Sequence, residues 1–344
     1  MRDKILITGG AGFIGFHLAS LLLDSGYDIT IIDNLSRGLI DTDIKDLEKK
    51  GNIRILNLNI LDSNSLTKIP LDYKYIFHLA AIIGVANVLS QPYNVLYDNI
   101  SMLGNVINFA RRQKKLKRFL FASTSEVYAG TLKFFSLKIP SPESSYLALT
   151  ELNHPRTSYM LSKIYGEAMC LHSGLPITIF RPHNIYGPRM GLSHVIPEQL
   201  KKAEFSKNND TIEVSSVDHT RTFCYIYDAI EMLVLMMKNN SCEGKTLNLG
   251  NQSPEVSIRK VVEICHSVVG KNFQIRPIPD LLNSPTRRSP DMTKTYNLIN
   301  YTPSISLQEG ITKTYNWYKL KVFLGGDNHL TYMMSLTKFN LNSE

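Results

Sequence analysis

Lys4-Ile5-Leu6-Ile7-Thr8-Gly9-Gly10-Ala11-Gly12-Phe13-Ile14-Gly15 opens the chain, and its reading decides the fold. A short apolar and β-branched run ends in a cluster of glycines, and the helical pattern Phe13–Asp24 comes at once after it. Such a run suits a strand buried on both faces of a parallel sheet. Gly9, Gly12 and Gly15 have the spacing GxxGxxG. In a strand–turn–helix unit one such glycine permits the tight turn. A second lets a pyrophosphate approach the backbone, and a third lets helix and strand pack closely. The phosphates then meet unpaired N–H groups at a helix N-terminus. Asp33 ends the second strand-like run, 18 positions after Gly15. A carboxylate there accepts bonds from the adenosine ribose hydroxyls and repels a 2′-phosphate. The expected cofactor is therefore NAD rather than NADP, with Arg37 as the one nearby cation. In isolation Asp33 reads equally as a cap or turn residue.

Further strand-like runs are Asp28–Asp33, Ile53–Leu58, Tyr75–Leu79, Arg118–Ala122 and Ile177–Arg181, with helical patterns such as Tyr93–Arg112 between them. Repeated alternation implies right-handed crossovers and an α/β, doubly wound parallel sheet. After Arg181 the regularity is lost at Pro182, Pro188 and Pro197, and Asp228–Lys238, Ser257–Val269 and Ser306–Tyr318 read as helices. The expected organisation is a Rossmann-like NAD-binding domain over 1–180 and a smaller mixed substrate lobe over 181–320, part of it returning to the sheet. A C-terminal extension occupies 321–344, which either frays or docks.

Composition sets the outer limits. With 344 residues, 43% hydrophobic and 20% charged, the chain has core enough for about two lobes. Disordered, collagen-like and disulfide-scaffold classes are excluded. Four cysteines without a CxxC pair argue against structural zinc and for a reduced, cytoplasmic setting, and no metal is expected. No apolar run approaches the ~20 residues of a membrane helix. Met1-Arg2-Asp3-Lys4 imitates the start of a secretory signal, but Gly9, Gly10, Gly12 and Gly15 interrupt the apolar stretch behind it. The net charge of +8 could suit nucleic acid. The one dense run, Arg111–Arg118, has no interleaved aromatics and reads as a solvated helix end. Neither nucleic acid nor a membrane is expected as partner.

Tyr159 and Lys163 stand four apart, on one face of a helix. A phenol is a poor base at neutral pH, and a neighbouring ammonium stabilises the phenolate. Alone, YxxxK is more often a surface lysine beside a half-buried tyrosine. Ser123-Thr124-Ser125-Glu126-Val127-Tyr128 succeeds a buried strand, at the carboxyl end where open α/β sheets bind ligands. A hydroxyl there can orient a substrate, and Glu126 adds an ionisable group or, more blandly, a solvated loop carboxylate.

Together these pieces resemble an extended short-chain dehydrogenase/reductase of the nucleotide-sugar epimerase, dehydratase and decarboxylase group. The matching runs also include His78-Leu79-Ala80-Ala81, Asn99, Arg181-Pro182-His183-Asn184-Ile185-Tyr186-Gly187-Pro188-Arg189, Arg221 and Arg288-Ser289-Pro290-Asp291, in family order over roughly residues 4–320. The resemblance implies that Gly9, Gly12, Phe13, Ile14, Gly15, Asp33, Asn34, Asn59 and Ile60 hold the adenosine half of NAD. Leu79, Ala80 and Ala81 would pass the pyrophosphate, with Asn99, Lys163 and Pro182 completing the cofactor site. It makes Tyr159 the base, with Thr124, Glu126 and Lys163 as catalytic partners, and it gives the nucleotide sugar to Thr124, Asn184, Arg221 and Arg288. His183 replaces the commoner Phe of its motif and receives no catalytic role.

The shared first step is oxidation of sugar carbon 4. Thr124-Ser125-Glu126, Pro155-Arg156 and Arg287-Arg288 resemble UDP-glucuronate decarboxylases most, although Tyr128-Ala129-Gly130 is one residue longer than the usual Tyr-Gly. A 4-epimerase, a 4,6-dehydratase and a non-catalytic NAD-sensing protein are the alternatives. The intact Thr124, Tyr159 and Lys163 speak against the last. The resemblance also implies a homodimer through a four-helix bundle of Tyr93–Arg112 and Tyr159–His172, with Ile100, Leu103, Val106, Ile107 and Ala110 supplying an apolar stripe. Burial within one chain explains the same stripe.

Overall fold

The computed structural model describes residues 2–37, 40–279 and 284–325. Six strands arise from the anticipated runs: β1 (Lys4–Thr8), β2 (Asp28–Asp33), β3 (Ile53–Asn57), β4 (Tyr75–His78), β5 (Arg118–Ala122) and β6 (Ile177–Pro182). A seventh, Lys245–Leu249, joins them from the second half of the chain. All pair in parallel, in the order Lys245–Leu249, β6, β5, β4, β1, β2, β3. The polar residues of Lys245-Thr246-Leu247-Asn248-Leu249 hide that last strand from a reading by apolar runs.

Strand alternation divides the core. Ile5, Ile7, Phe77 and Leu120 point to one face, where helix α1 (Phe13–Asp24) and the helix Ile226–Lys238 pack. Leu6, Ile76, Phe119 and Phe121 point to the other. That face is covered by α4 (Pro92–Arg111) and α6 (Arg156–Leu171). Between α1 and α6 in the chain lie also α2 (Thr42–Lys49), α3 (Val85–Ser90) and α5 (Ala129–Phe134). A Cβ on Gly166 of α6 would stand 2.7 Å from the Phe121 ring, so α6 lies close on β5.

The chain runs outward from β1 through β2 and β3, then returns to the other side of β1 with β4. This reversal leaves a crevice at the carboxyl ends of β1 and β4, the ligand-binding position of such sheets. Outside the sheet, Thr220–Arg221 pairs with both Val256–Ser257 and Arg287–Arg288 in a small ladder that places Arg221 beside Arg288. Ser257 and Ser306 are N-caps, their hydroxyls accepting from Lys260 N and Glu309 N, rather than first helical residues.

Two readings need correction. The basic run is solvated at Lys114 and Lys115, but Arg118 is buried at the start of β5, donating to Thr178 Oγ1 at 3.0 Å. Leu103, Val106, Ile107 and Ala110 pack on the sheet within the chain. The exposed apolar residues nearby are Tyr93, Tyr97, Val85, Leu89 and Tyr165. Of the extension, Val322 and Phe323 are buried and Lys321 pairs with Asp43 at 2.9 Å; residues 326–344 lie outside the described residues.

Candidate active site

The glycine turn is shaped for close approach. Gly9 has φ +72°, and a Cβ there would stand 2.8 Å from Ala80 N and 2.9 Å from Ala80 Cα. A Cβ on Gly15 would stand 2.6 Å from Gly10 Cα. Gly12 caps α1, whose first turn is Phe13, Ile14 and Gly15. Asp33, at the carboxyl end of β2, accepts from Ala11 N at 3.1 Å and Leu35 N at 2.9 Å. Burial raises its pKa, and those two backbone bonds oppose the rise only in part. The carboxylate is thus tied to the glycine loop and keeps lone pairs for a ribose. Asn34 stays exposed, its Oδ1 accepting from Ser36 N. Leu79 and Ala80 continue from β4 against Thr8, Leu79 N donating to Thr8 O at 3.1 Å, and Ala81 comes next. Cradle, acid and loop fit a dinucleotide at this crevice.

Other anticipated cofactor residues are placed differently. Asn99 spends its amide on the loop, accepting from Ile82 N at 2.7 Å and donating to Ile82 O at 3.1 Å and Ser162 Oγ at 3.3 Å. It anchors the segment beyond Ala81. The Ile60 side chain is buried in the core, leaving only its backbone for a ligand, and Asn59 Oδ1 closes a turn onto Leu61 N. Arg37 reaches away from Asp33, to Ile83 O at 3.4 Å, and acts electrostatically on Tyr159. Pro182 ends β6 in register with Leu249.

Thr124, Tyr159 and Lys163 converge. Thr124 stands close enough to favour the Tyr159 phenolate, and Lys163 Nζ lies 5.9 Å from the Tyr159 ring centre. The expected lowering of the phenol is not met without cofactor. Burial pushes Tyr159 up to about 12, and Thr124 and Arg37 oppose this only in part. Lys163 instead donates to Ala122 O at 2.8 Å, and burial brings it down to about 8.

Beside them Glu126 accepts from Arg288 Nη1 at 2.8 Å, with Arg156 Nη2 3.9 Å away. Arg288 first, then Arg156, holds the carboxyl below its usual range against burial. Asn184 and Arg221 line an adjoining cavity of about 320 Å³. Asn184 Nδ2 donates to Thr222 O at 2.9 Å, and Arg221 braces the backbone at Thr220 and Pro285. Arg156, one turn before Tyr159, is missing from the site expected on sequence, although its i, i+3 spacing to Tyr159 is a visible signal.

A nucleotide crevice with a Tyr–Lys pair and a cationic wall defines a class, and comparison identifies it. The model of the NAD dependent epimerase/dehydratase family matches residues 5–250, and the chain belongs to that family. It is an NAD-dependent enzyme that modifies nucleotide sugars. A UDP-N-acetyl-alpha-D-glucosaminuronate decarboxylase of Bacillus cytotoxicus is 33% identical over 331 residues, 93% of this chain and 98% of that relative. UDP-glucuronic acid decarboxylase 1 of Xenopus tropicalis is 28% identical over 92% of this chain and 72% of its own length. The solved UDP-glucuronic acid 4-epimerase of Bacillus cereus, in complex with UDP-glucuronic acid and NAD, superposes with a TM-score of 0.75. It is 27% identical over 92% of this chain and 99% of that one.

Proposed function

We propose that the enzyme decarboxylates a UDP-linked uronic acid, UDP-glucuronate or its 2-acetamido counterpart. The observation that carries this reading is Glu126, held by Arg288 and Arg156 beside Thr124 and Tyr159. Guanidinium forks are shaped for carboxylates, so the same cations that grip Glu126 can hold the sugar's own carboxylate. Likeness to two uronate decarboxylases supports it.

Thr124 orients the carbon-4 hydroxyl, and Tyr159 takes its proton. A buried phenol pushed up to about 12 needs the Lys163 charge and a bound cation to act as base. Bound NAD supplies the hydride acceptor and later the donor at carbon 4. The oxidised sugar is a β-keto acid, which loses carbon dioxide as the electron pair of the broken bond passes toward the carbon-4 carbonyl, and the resulting enolate takes a proton from water at carbon 5 to restore the ketone before carbon 4 is reduced again. Asn184 and Arg221 face the cavity that takes the nucleotide end. The division at 180 and 320 into cofactor domain, substrate lobe and extension belongs to this reading. So does a homodimer through the outer faces of α4 and α6, where Tyr93 and Tyr97 stack exposed at 5.8 Å. We place the enzyme in the cytoplasm, in keeping with its four free cysteines.

The test is a product assay with NAD and each uronate separately, read by mass spectrometry and proton NMR. Loss of carbon dioxide supports the reading. An isomer of unchanged mass overturns it in favour of 4-epimerisation, which likeness to the Bacillus cereus structure keeps as the second reading.

A further inference from the structure

A buried polar network beneath Ser123–Tyr128 fixes the state of one histidine. Arg181 is an obligate donor; it forks onto Glu167 at 2.8 and 2.6 Å and sends Nη1 to the Tyr128 oxygen at 2.8 Å. With that oxygen accepting, the Tyr128 proton goes to Asn248 Oδ1 at 3.0 Å. Asn248 has only one workable orientation, because its Nδ2 meets two carbonyls, Ser141 O at 2.9 Å and Asp291 O at 3.0 Å. Oδ1 is therefore the atom 3.0 Å from His183 Nε2. An amide oxygen only accepts, so Nε2 carries the ring proton.

His183 is 1% exposed. Burial, with Arg288 and Arg181 nearby, brings its pKa down to about 3 against the favourable bond to Asn248, so the ring is neutral at working pH. Nδ1 is then a bare acceptor, and no described protein group donates to it. A buried acceptor left in this state forfeits the bonds it made to water, so a donor brought to it is favoured. His183 lines a void of about 10 Å³ shared with Ser125, Tyr128, Ser141 and Arg288. That is room for about one water oxygen. Arg288, which lines this void, is the residue that donates to Glu126 in the site.

We propose that His183 Nδ1 is a specificity-determining acceptor that reads one ring hydroxyl of the nucleotide sugar. The inference rests on nucleotide-sugar binding, not on decarboxylation. Phe at this position keeps a ring and loses the acceptor, so a Phe-bearing site has no means of reading that hydroxyl.

The experiment tracks the histidine nitrogens by ¹⁵N NMR in the full chain, first with NAD alone, then with UDP, then with each of the two uronates. The expected result is an unprotonated Nδ1 that shifts toward a hydrogen-bonded value with a uronate and not with NAD or UDP. His183→Phe should lower kcat/KM for that substrate about ten-fold, mainly through KM, equivalent to one bond of ~1.4 kcal/mol. NAD affinity should hold, while loss of the Nε2 bond to Asn248 lowers the melting temperature. A protonated Nδ1, an Nδ1 unmoved by saturating uronate, or one already moved by NAD alone overturns the proposal. The NMR arm uses the native chain and decides even where the variant does not fold. A moved Nδ1 without release of carbon dioxide separates failure of the decarboxylase reading from failure of this one.

Discussion

Gly9→Ala is the sharpest probe of the cofactor crevice, because its cost divides into two parts. The first is conformational. At φ +72° an L-residue is strained by about 1 kcal/mol. The second is steric. The new methyl would stand 2.8 Å from Ala80 N, against an ordinary contact of at least 3.4 Å, so backbone must move by about 0.6 Å. No flexible side chain can yield, since the nearest atoms are all backbone of Leu79 and Ala80. Overpacking of this kind costs ~1–3 kcal/mol. Gly26→Ala is the matched control, with φ +86° and nothing within 4 Å of its Cβ, so it carries the first part alone. Gly9→Ala should therefore be less stable than Gly26→Ala by about 1–3 kcal/mol in urea unfolding. Moving the Gly9 and Ala80 segments also misplaces N–H donors for the dinucleotide phosphates. Losing one charge-assisted bond, at ~1.5–3 kcal/mol, weakens NAD about 10- to 100-fold. Calorimetric titration of NAD reads this directly. Equal stability of the two variants, or NAD affinity within threefold of wild type, would refute the placement of this turn against Ala80.

Tyr159→Phe should abolish turnover while leaving NAD affinity within a few-fold, checked by product assay and calorimetry; near-normal turnover removes Tyr159 as base. Glu126→Gln should slow carbon dioxide release at least ten-fold, and an unchanged rate takes Glu126 out of the mechanism. Lys163 titrates near 8 in the fold against 10.5 for the free group, so the native state holds fewer protons between those values. Wild-type stability should then rise with pH across that window, by roughly 3 kcal/mol. Lys163→Met should be more stable than wild type below pH 8 and lose that advantage by about pH 10.5, as measured by chemical unfolding at each pH. Glu167→Gln leaves Arg181 buried without its counter-charge, the two side chains being 7% and 5% exposed, and should cost ~3–5 kcal/mol by the same assay.

What the sequence disclosed depended on where each contact partner lies. The glycine turn, Asp33 and the Tyr159–Lys163 pair are local patterns, fixed by the periods of strand and helix, and each stands where its spacing put it. Asn99 did not yield to that reasoning. Its buried amide holds the backbone of Ile82, 17 positions away, a contact that no spacing announces. The stripe Leu103–Ala110 is ambiguous, since an apolar helix face does not say whether a sheet or a second chain covers it. Arg118 misled because charge was read over a window spanning a helix end and a strand start, and the strand buries what the helix end exposes.

The same distinction explains why the family is easier to read than the reaction. Oxidation at carbon 4 needs parts that β1, α1 and the β5–α6 layer hold in sequence order. In the proposed reading the fate of the ketone depends on Glu126 with Arg288, 162 positions apart, while the state of His183 depends on Tyr128 with Asn248, 120 positions apart. Neither residue of such a pair implies the other by spacing. Each pair forms only because Lys245–Leu249 joins the sheet edge and the Thr220–Arg221 ladder sets Arg288 over the end of β5. Substitutions that alter the reaction while sparing the oxidation should therefore concentrate at Glu126 and Arg288, which meet across that long-range seam, and at the neighbouring Arg156, and not in the glycine turn.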